Sequence, residues 1–303
     1  MSVLAAGFLA CFSSRAEIFH VGTFNVENYL EQPTAARPRA KPAEARAKVR
    51  ESIRAMNPDA LALEEIGGLD ALMELRASLK ADGDYFPYWD MVSGSDTNIH
   101  VAILSKFPIE ARHAYTNDTF LLDGRLFRVD RGFDEVTVRA PDLSFTIIAV
   151  HLKSRLRERR VNEAEERFEE ARILRNIISQ KLRSDPRARL IVLGDFNDTP
   201  DSPAMREIIG RGRLKLTDTR PAERNGDDAP AENPRYAPRR IVWTEYYGAE
   251  DSYSRIDYIL LSPAMARYWL PAETHIVTLP NWGVASDHRP IVAGFDTHGA
   301  TSP

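Results

Sequence analysis

A chain of 303 residues with 43% hydrophobic content is long enough for one large α/β domain or two small ones, and it can bury a real core. Its 40 basic and 44 acidic residues leave a net charge of −4, which argues against polyanion binding by bulk electrostatics but leaves room for a local basic groove. There is no internal repeat and no low-complexity tract.

The chain opens with an apolar run over 3–12, followed by Ser13-Ser14-Arg15-Ala16, whose small-x-small ending has the form of a cleavage site. Segment 1–16 is therefore expected to be a signal peptide, although it lacks the usual basic start, and the mature protein to be secreted or periplasmic. A misassigned start or a buried strand is the competing reading, and it would leave the protein in the cytoplasm. Cys11 is the only cysteine, so a chain cut after Ala16 has neither a disulfide nor a thiolate metal site. The apolar run is too short to span a bilayer as a helix and no later stretch qualifies, so no stable membrane association is expected. Residues 17–297 read as a single domain and 298–303 as a tail, with a monomer as the favoured state.

A first strand is predicted over 18–26, followed by a loop over 32–42 rich in Pro, Ala and Arg. Ala45, Val49, Ile53 and Met56 share one face of a helix that must stop at Asn57-Pro58. A strand over 60–66 is broken by Gly67-Gly68, and Leu69, Leu72, Leu75 and Leu79 predict a second helix. The middle of the chain is β-rich, with runs over 100–104, 133–138 and 145–150. Val161, Ala164, Phe168, Ala171, Leu174 and Ile178 then form the longest helical stripe, whose Glu and Arg residues read as a solvated face. A buried-type strand over 190–193, a surface loop over 221–240, and strands over 256–261 and 290–295 complete the chain. Strands alternating with helices, without a Gly-rich nucleotide loop, predict sheets covered by helices rather than a dinucleotide fold.

Polar groups gather where these apolar runs end: Asn25, Glu65, His151, Asp195 with Asn197, and Asp287-His288. Taken singly, each has an ordinary structural reading, an Asx turn for the acids and amides or a hydrogen-bonded core histidine. Taken together, their carboxylate and amide oxygens suit a hard cation while the imidazoles suit a phosphate ester. Alternation along a strand lets only one of Glu64 and Glu65 face such a site.

In this order, the clusters Phe-Asn-Val-Glu-Asn, Leu-Glu-Glu, His-Leu-Lys-Ser, Gly-Asp-Phe-Asn, Arg-Ile-Asp-Tyr and Ser-Asp-His resemble the endonuclease/exonuclease/phosphatase superfamily, over about 18–295. The resemblance implies an α/β fold of DNase I-like type, a four-layer sandwich of two packed mixed β-sheets flanked by helices. It implies a Mg²⁺ ion, with Mn²⁺ as a substitute, held by Glu65 with help from Asn25 and Asp287. Glu64 stands where the family usually has Gln. Asp195 would activate the attacking water, with Asn197 binding the phosphate or orienting that water. His151 would contact the scissile phosphate as proton donor or stabiliser, and Asp257 would hold His288 protonated. Arg131 and Lys153 are carried over as substrate-binding residues, and Asn98 and His100 as residues near the same cleft.

A nuclease acting on DNA or RNA, leaving a 5′-phosphate and a 3′-hydroxyl, is the leading expectation. The Asp-Leu-Asn and Trp-Cys-Asp-Arg segments of the inositol phosphatases are missing. A phosphatase or phosphodiesterase on small or lipid phosphoesters, of the sphingomyelinase kind, is the alternative. Its lipid-binding aromatics would have to come from Trp243, Tyr246 and Tyr247, where Glu245 and Glu250 make a poor membrane wedge. A non-catalytic binding protein on the same fold is the remote alternative, disfavoured because every principal position keeps its expected residue.

Overall fold

Phe19, Val21, Thr23 and Asn25 point to one face of the first strand and Phe24 and Val26 to the other, and both faces are buried. A strand apolar on both sides needs cover on both sides, which a layered sandwich supplies. The computed structural model describes residues 17–156, 162–226 and 240–299. The expected signal peptide 1–16, Val161 and positions 227–239 of the predicted loop lie outside the described residues.

The first half of the chain runs β1 (Ile18–Tyr29), α1 (Ala43–Met56), β2 (Ala60–Ile66), α2 (Leu69–Ala81), β3 (Tyr88–Val92), β4 (His100–Ser105), β5 (Ile109–Tyr115), β6 (Thr119–Leu122) and β7 (Arg125–Arg128). It continues with β8 (Phe133–Ala140), β9 (Leu143–His151), α3 (Glu163–Ser184), β10 (Leu190–Asp195), α4 (Pro203–Ile209) and β11 (Thr217–Asp218). The last elements are β12 (Glu245–Tyr247), β13 (Ser252–Ser254), β14 (Asp257–Leu261), β15 (Trp269–Ile276) and β16 (Ile291–Asp296).

Two six-stranded sheets result, in the orders β15-β16-β1-β2-β4-β3 and β11-β14-β10-β9-β8-β5. Both are mixed: β1 runs parallel to β2 and β9 parallel to β10, among antiparallel neighbours. The faces between the sheets share one core, in which Phe19 stacks on Phe145 at 5.1 Å and on Phe295 at 5.3 Å. The outer face of the first sheet packs on α1 and α2 through Val49, Ile53, Leu72 and Leu75, and that of the second on α3 and α4 through Leu174, Ile178, Met205 and Ile208. This is the four-layer sandwich expected from the sequence.

Local chemistry explains the helix ends. α1 stops at Asn57, whose φ of 49° is left-handed and whose N–H reaches the Ile53 and Arg54 carbonyls, with Pro58 unable to continue. α3 begins at Asn162, whose side chain accepts from the Ala164 amide, and carries acids in its first turn and bases in its last.

The strands β3, β5, β6, β7 and β15 and the helix α4 lie where the sequence predicted no element. Five consecutive residues of β5, Glu110 to Ala114, are exposed, and β6 with β7 is a separate hairpin, so these strands lack the alternation of a half-buried strand. α4 is only seven residues long, too short to show a periodic stripe.

Candidate active site

At one end of the sandwich the inner faces turn polar. The inward positions run Ile147, Ala149, His151 on β9, Ile191, Leu193, Asp195 on β10, and Leu261, Ile259, Asp257 on β14. β10 registers Asp195 against His151 on one side and Asp257 on the other, so the three polar groups stand in one row. On the facing sheet the same alternation places Asn25 and Glu64 opposite that row.

Asp195 is the hub. Its Oδ2 accepts from Asn25 Nδ2 at 3.0 Å and Asn197 Nδ2 at 3.2 Å, while its Oδ1 accepts from the Asn197 amide at 2.8 Å. Asn197 also donates to the Leu152 carbonyl at 3.0 Å, so its amide group is engaged in orienting Asp195. The turn depends on Gly194, whose φ is +138° and whose missing Cβ would lie 1.9 Å from the Val150 carbonyl oxygen. Burial first, and Asp257 after it, push the Asp195 carboxyl up to about 7, against the pull of His288 and the Asn197 and Asn25 hydrogen bonds.

His288 lies just before β16, with its Nδ1 2.9 Å from Asp257 Oδ2 and its Nε2 3.8 Å from Asp195 Oδ2. Burial pulls its pKa down, but Asp257, Asp195 and Asp287 together lift it well above the ordinary imidazole value. His151 is the reverse. Burial, then Arg131, His288 and Arg37, push its pKa well below the ordinary value, and its Nδ1 is buried with no hydrogen-bond partner. Its Nε2 stands 3.5 Å from Asp195 and 4.0 Å from Glu65.

The expectation that only one of Glu64 and Glu65 faces the site is corrected. Glu64 keeps the inward alternation, is fully buried and accepts from Thr23 Oγ1 at 2.6 Å. Glu65 leaves the pleat at a φ of 62°, which swings its carboxylate to the Asn28 amide at 2.9 Å and to within 3.4 Å of Asn25 Nδ2. Both carboxyls therefore reach the site, one from beneath and one at the rim. Burial, and then the charges of Asp257 and Asp195, raise Glu64 well above the ordinary carboxyl range.

Glu65, Asp287 and Glu27 form an acidic rim. Burial and the charges of Asp287 and Glu65 raise Glu27, and Lys41, whose Nζ donates to the Glu27 carbonyl at 2.9 Å, offsets part of the negative field. Burial lowers the Lys41 pKa, although Glu27, Asp287 and Glu65 pull it up, and the carboxylate oxygens of that rim are donors of the kind a hard cation takes. Asp195, Asp257 and His288 also lie close enough together to hold a metal, with ligand atoms within 4.8 Å of one another. There, however, the hydrogen bond from His288 to Asp257 and the imidazole itself fit proton chemistry better than a magnesium-type ion.

Arg131 is buried beside His151, donates to the Leu152 carbonyl at 3.3 Å and keeps its Nε without a hydrogen-bond partner. Lys153 is also buried, but its Nζ is 3.2 Å from Asp130 and 3.5 Å from Glu166, within a network of ion pairs. Asn98 accepts from Thr34 Oγ1 at 2.7 Å and ties two loops together. His100 is buried and its Nδ1 has no partner.

Sequence reasoning missed Glu27, Lys41, Arg37 and Glu245. The β12–β13 hairpin carries Glu245 to the site, where it bridges His288 through the backbone and is ion-paired to Arg155. Only Glu27 had a signal, two residues past Asn25.

The two mixed sheets with helices on both outer faces make this a DNase I-like fold. The chain belongs to the endonuclease/exonuclease/phosphatase family, whose pattern matches residues 22–288 and whose members are in general hydrolases of phosphoesters. Comparison with curated proteins gives no match. Among solved structures, beta toxin from Staphylococcus aureus is similar with a TM-score of 0.63 at 18% identity, over 91% of this chain and 99% of the toxin. The human nocturnin catalytic domain with bound sulfate anion gives 0.61 at 17% identity, over 92% of this chain and 97% of its own. Sphingomyelinase C from Streptomyces griseocarneus gives 0.57 at 20% identity, over 92% and 99%. A mutant of the toxin contains bound magnesium ions. At these identities the likeness is one of fold.

Proposed function

We propose that the chain is a Mg²⁺-dependent nuclease that hydrolyses phosphodiester bonds of DNA or RNA. The observation that supports this best is the pair of oppositely tuned imidazoles around one carboxylate: His288 held cationic, His151 held neutral, and Asp195 near neutrality between them. Asp195 takes a proton from a water molecule as that water's oxygen bonds to phosphorus. The bond from phosphorus to the 3′-oxygen breaks, leaving a 5′-phosphate and, once solvent protonates the leaving oxygen, a 3′-hydroxyl. Asp257 accepts from His288 Nδ1–H and so aims the Nε2–H into the cleft, where the imidazolium offsets the charge gathering on the phosphoryl oxygens. His151, being neutral, serves as a hydrogen-bond donor rather than an acid.

Glu65, Asp287 and the Asn25 amide would hold the cation, with Mn²⁺ as a substitute, and Glu27 stands beside them. When bound, the ion supplies Lewis-acid stabilisation of a non-bridging oxygen. The magnesium in the related toxin and the acidic rim of this chain support that assignment.

A lipid phosphodiester is the second reading. It is favoured by a row of aromatic rings in which Trp243 lies 4.8 Å from Tyr253 and 5.6 Å from Trp282, with Tyr246 4.8 Å from Tyr253. Exposed Glu250 and Asp251 flank that row and weaken it as a membrane wedge. Supercoiled plasmid, linear DNA, RNA and sphingomyelin vesicles incubated with the purified chain and Mg²⁺ separate the two. Cleavage of nucleic acid that EDTA abolishes is the expected result, and turnover of sphingomyelin alone would replace the first reading with the second.

A further inference from the structure

The sequence reads the Glu and Arg residues of α3 as a solvated face, yet Glu166, Arg167 and Glu170 are buried. Glu170 is the most enclosed of the three, and the proposed chemistry gives it no part. A buried carboxylate is costly unless hydrogen bonds take up both of its oxygens. Two backbone amides do so here: Oε1 accepts from the Asp130 amide at 3.1 Å and Oε2 from the Lys153 amide at 2.7 Å. One side chain thus bridges two separate stretches of chain, the segment leading into β8 and the segment leaving β9.

Those amides border the residues expected to meet substrate. Arg131 follows Asp130, and its Nη1 donates at 3.3 Å to the carbonyl of Leu152, which lies between His151 and Lys153. The Leu152 amide donates in turn to the Asp195 carbonyl at 3.0 Å, so this peptide joins the Arg131 shelf to the central carboxylate. On the other side of the shelf, Gly94 packs so closely that a Cβ would lie 2.2 Å from the Asp130 carbonyl oxygen and 2.8 Å from Arg131 Cα. The Asp96 amide donates to that carbonyl at 2.9 Å, and Asp96 Oδ2 lies 3.7 Å from Arg131 Nε. Asp130 is therefore held at both its N–H and its C=O, which leaves the Arg131 backbone little freedom. Arg131 Nε itself is buried without a hydrogen bond, and the planar fork to which it belongs matches phosphate oxygens. Burial raises the Glu170 carboxyl to about 7, and the Asp130 amide and the Arg131 cation act against that rise.

We propose that Glu170 is a positioning residue, which fixes the Asp130 and Lys153 backbones so that the Arg131 guanidinium is aimed at a substrate phosphate. The inference rests on the phosphodiesterase reading with Arg131 as a phosphate-binding group, and it is the same for a nucleic-acid or a lipid diester. Glu170, being buried, acts only through Arg131.

The test is a double-mutant cycle on the full chain, with wild type, Glu170→Gln, Arg131→Ala and the double variant. An oligonucleotide is the substrate, replaced by sphingomyelin vesicles if only those are cleaved. Glu170→Gln keeps the size of the side chain but turns an amide donor toward one of the two backbone N–H groups. It should raise KM roughly ten-fold with little change in kcat, as loss of a charge-assisted contact predicts. In the Arg131→Ala background the same substitution should leave KM unchanged, which a loss of packing alone would not give. Glu169→Gln, next to it on α3 and paired with Arg172, is the charge-matched control and should keep the wild-type KM. If Glu170→Gln does not fold, Glu170→Asp, which keeps the charge but draws it back by a methylene, carries the same expectation. A second arm needs no turnover: inorganic phosphate is titrated into protein carrying isotope-labelled arginine. The Arg131 Nε–H resonance should shift in wild type and respond more weakly in Glu170→Gln. A KM effect of equal size in both backgrounds, or none in either, would overturn the positioning role. A normal KM in Arg131→Ala, with no response of Arg131 to phosphate, would remove the binding role of Arg131 and the inference with it. If neither substrate is cleaved yet Arg131 answers phosphate in a Glu170-dependent way, the hydrolytic reading fails and the positioning role stands.

Discussion

His288 Nε2 lies 3.8 Å from Asp195 Oδ2, and in the proposed mechanism the rate follows the protonation states of both groups. In the proposed mechanism Asp195 acts as a base only when it has lost its proton, and its folded-state value is raised to about 7, so activity should climb as pH rises through neutrality. In the same mechanism His288 acts only when protonated, and its value is raised well above the ordinary one, so activity should fall again in more alkaline buffer. A bell-shaped profile of kcat/KM against pH is the expected outcome, and a flat profile across neutrality would contradict the assignment of both groups. Asp257→Asn keeps the shape at His288 and removes the charge that lifts it. It should lower kcat by about 10²-fold or more and move the alkaline limb to lower pH, both read from the same profile.

Elements matter here because the strand ends continue the core pattern. The inward alternation that buries Ile191 and Leu193 carries on to Asp195, whereas at Glu65 it is broken by a positive φ and a register shift between Leu63 and Ile66. That is why His151, Asp195, Asp257 and His288 were legible from sequence, each ending or adjoining a buried strand whose period is plain, whereas Asn25 lies inside β1 and was legible through its motif. The double approach of Glu64 and Glu65 was not legible, because alternation forbids it and only the local backbone twist permits it. Glu245 was invisible for a different reason, since a hairpin brings it in through tertiary contacts without periodicity.

Glu64 also gives an element-level test. Its folded-state value is raised, so its contribution to stability is full below its ordinary value of 4.5 and is lost as pH rises through the folded value. Glu64→Gln removes that loss. The melting temperature of this variant relative to wild type should therefore rise from pH 5 to pH 8, and a difference independent of pH would mean that Glu64 is not held neutral. Gly194→Ala should destabilise by about 3 kcal/mol or more in denaturant titrations, because the strained φ and the clash with the Val150 carbonyl add together.

At the scale of the whole molecule, one core between the two sheets fixes the distance between their polar ends. Phe19, Phe145 and Phe295 stack inside that core, so Phe19→Ala should cost about 3–5 kcal/mol in denaturant titrations. β1 and β2 bring Asn25 and Glu65 from one sheet, while β9, β10 and β14 bring His151, Asp195 and Asp257 from the other. Neither sheet alone holds both an acidic rim for a cation and a carboxylate with two tuned imidazoles. The described residues contain no helix long and apolar enough to cross a membrane. The most direct measurement is single-turnover cleavage of an end-labelled oligonucleotide in Mg²⁺ by wild type, Asp195→Ala and His288→Ala, each checked for an unchanged fold by circular dichroism. The proposed chemistry predicts 5′-phosphate products from wild type and a loss of about 10³-fold or more in each variant. Near-normal rates in either well-folded variant would contradict it.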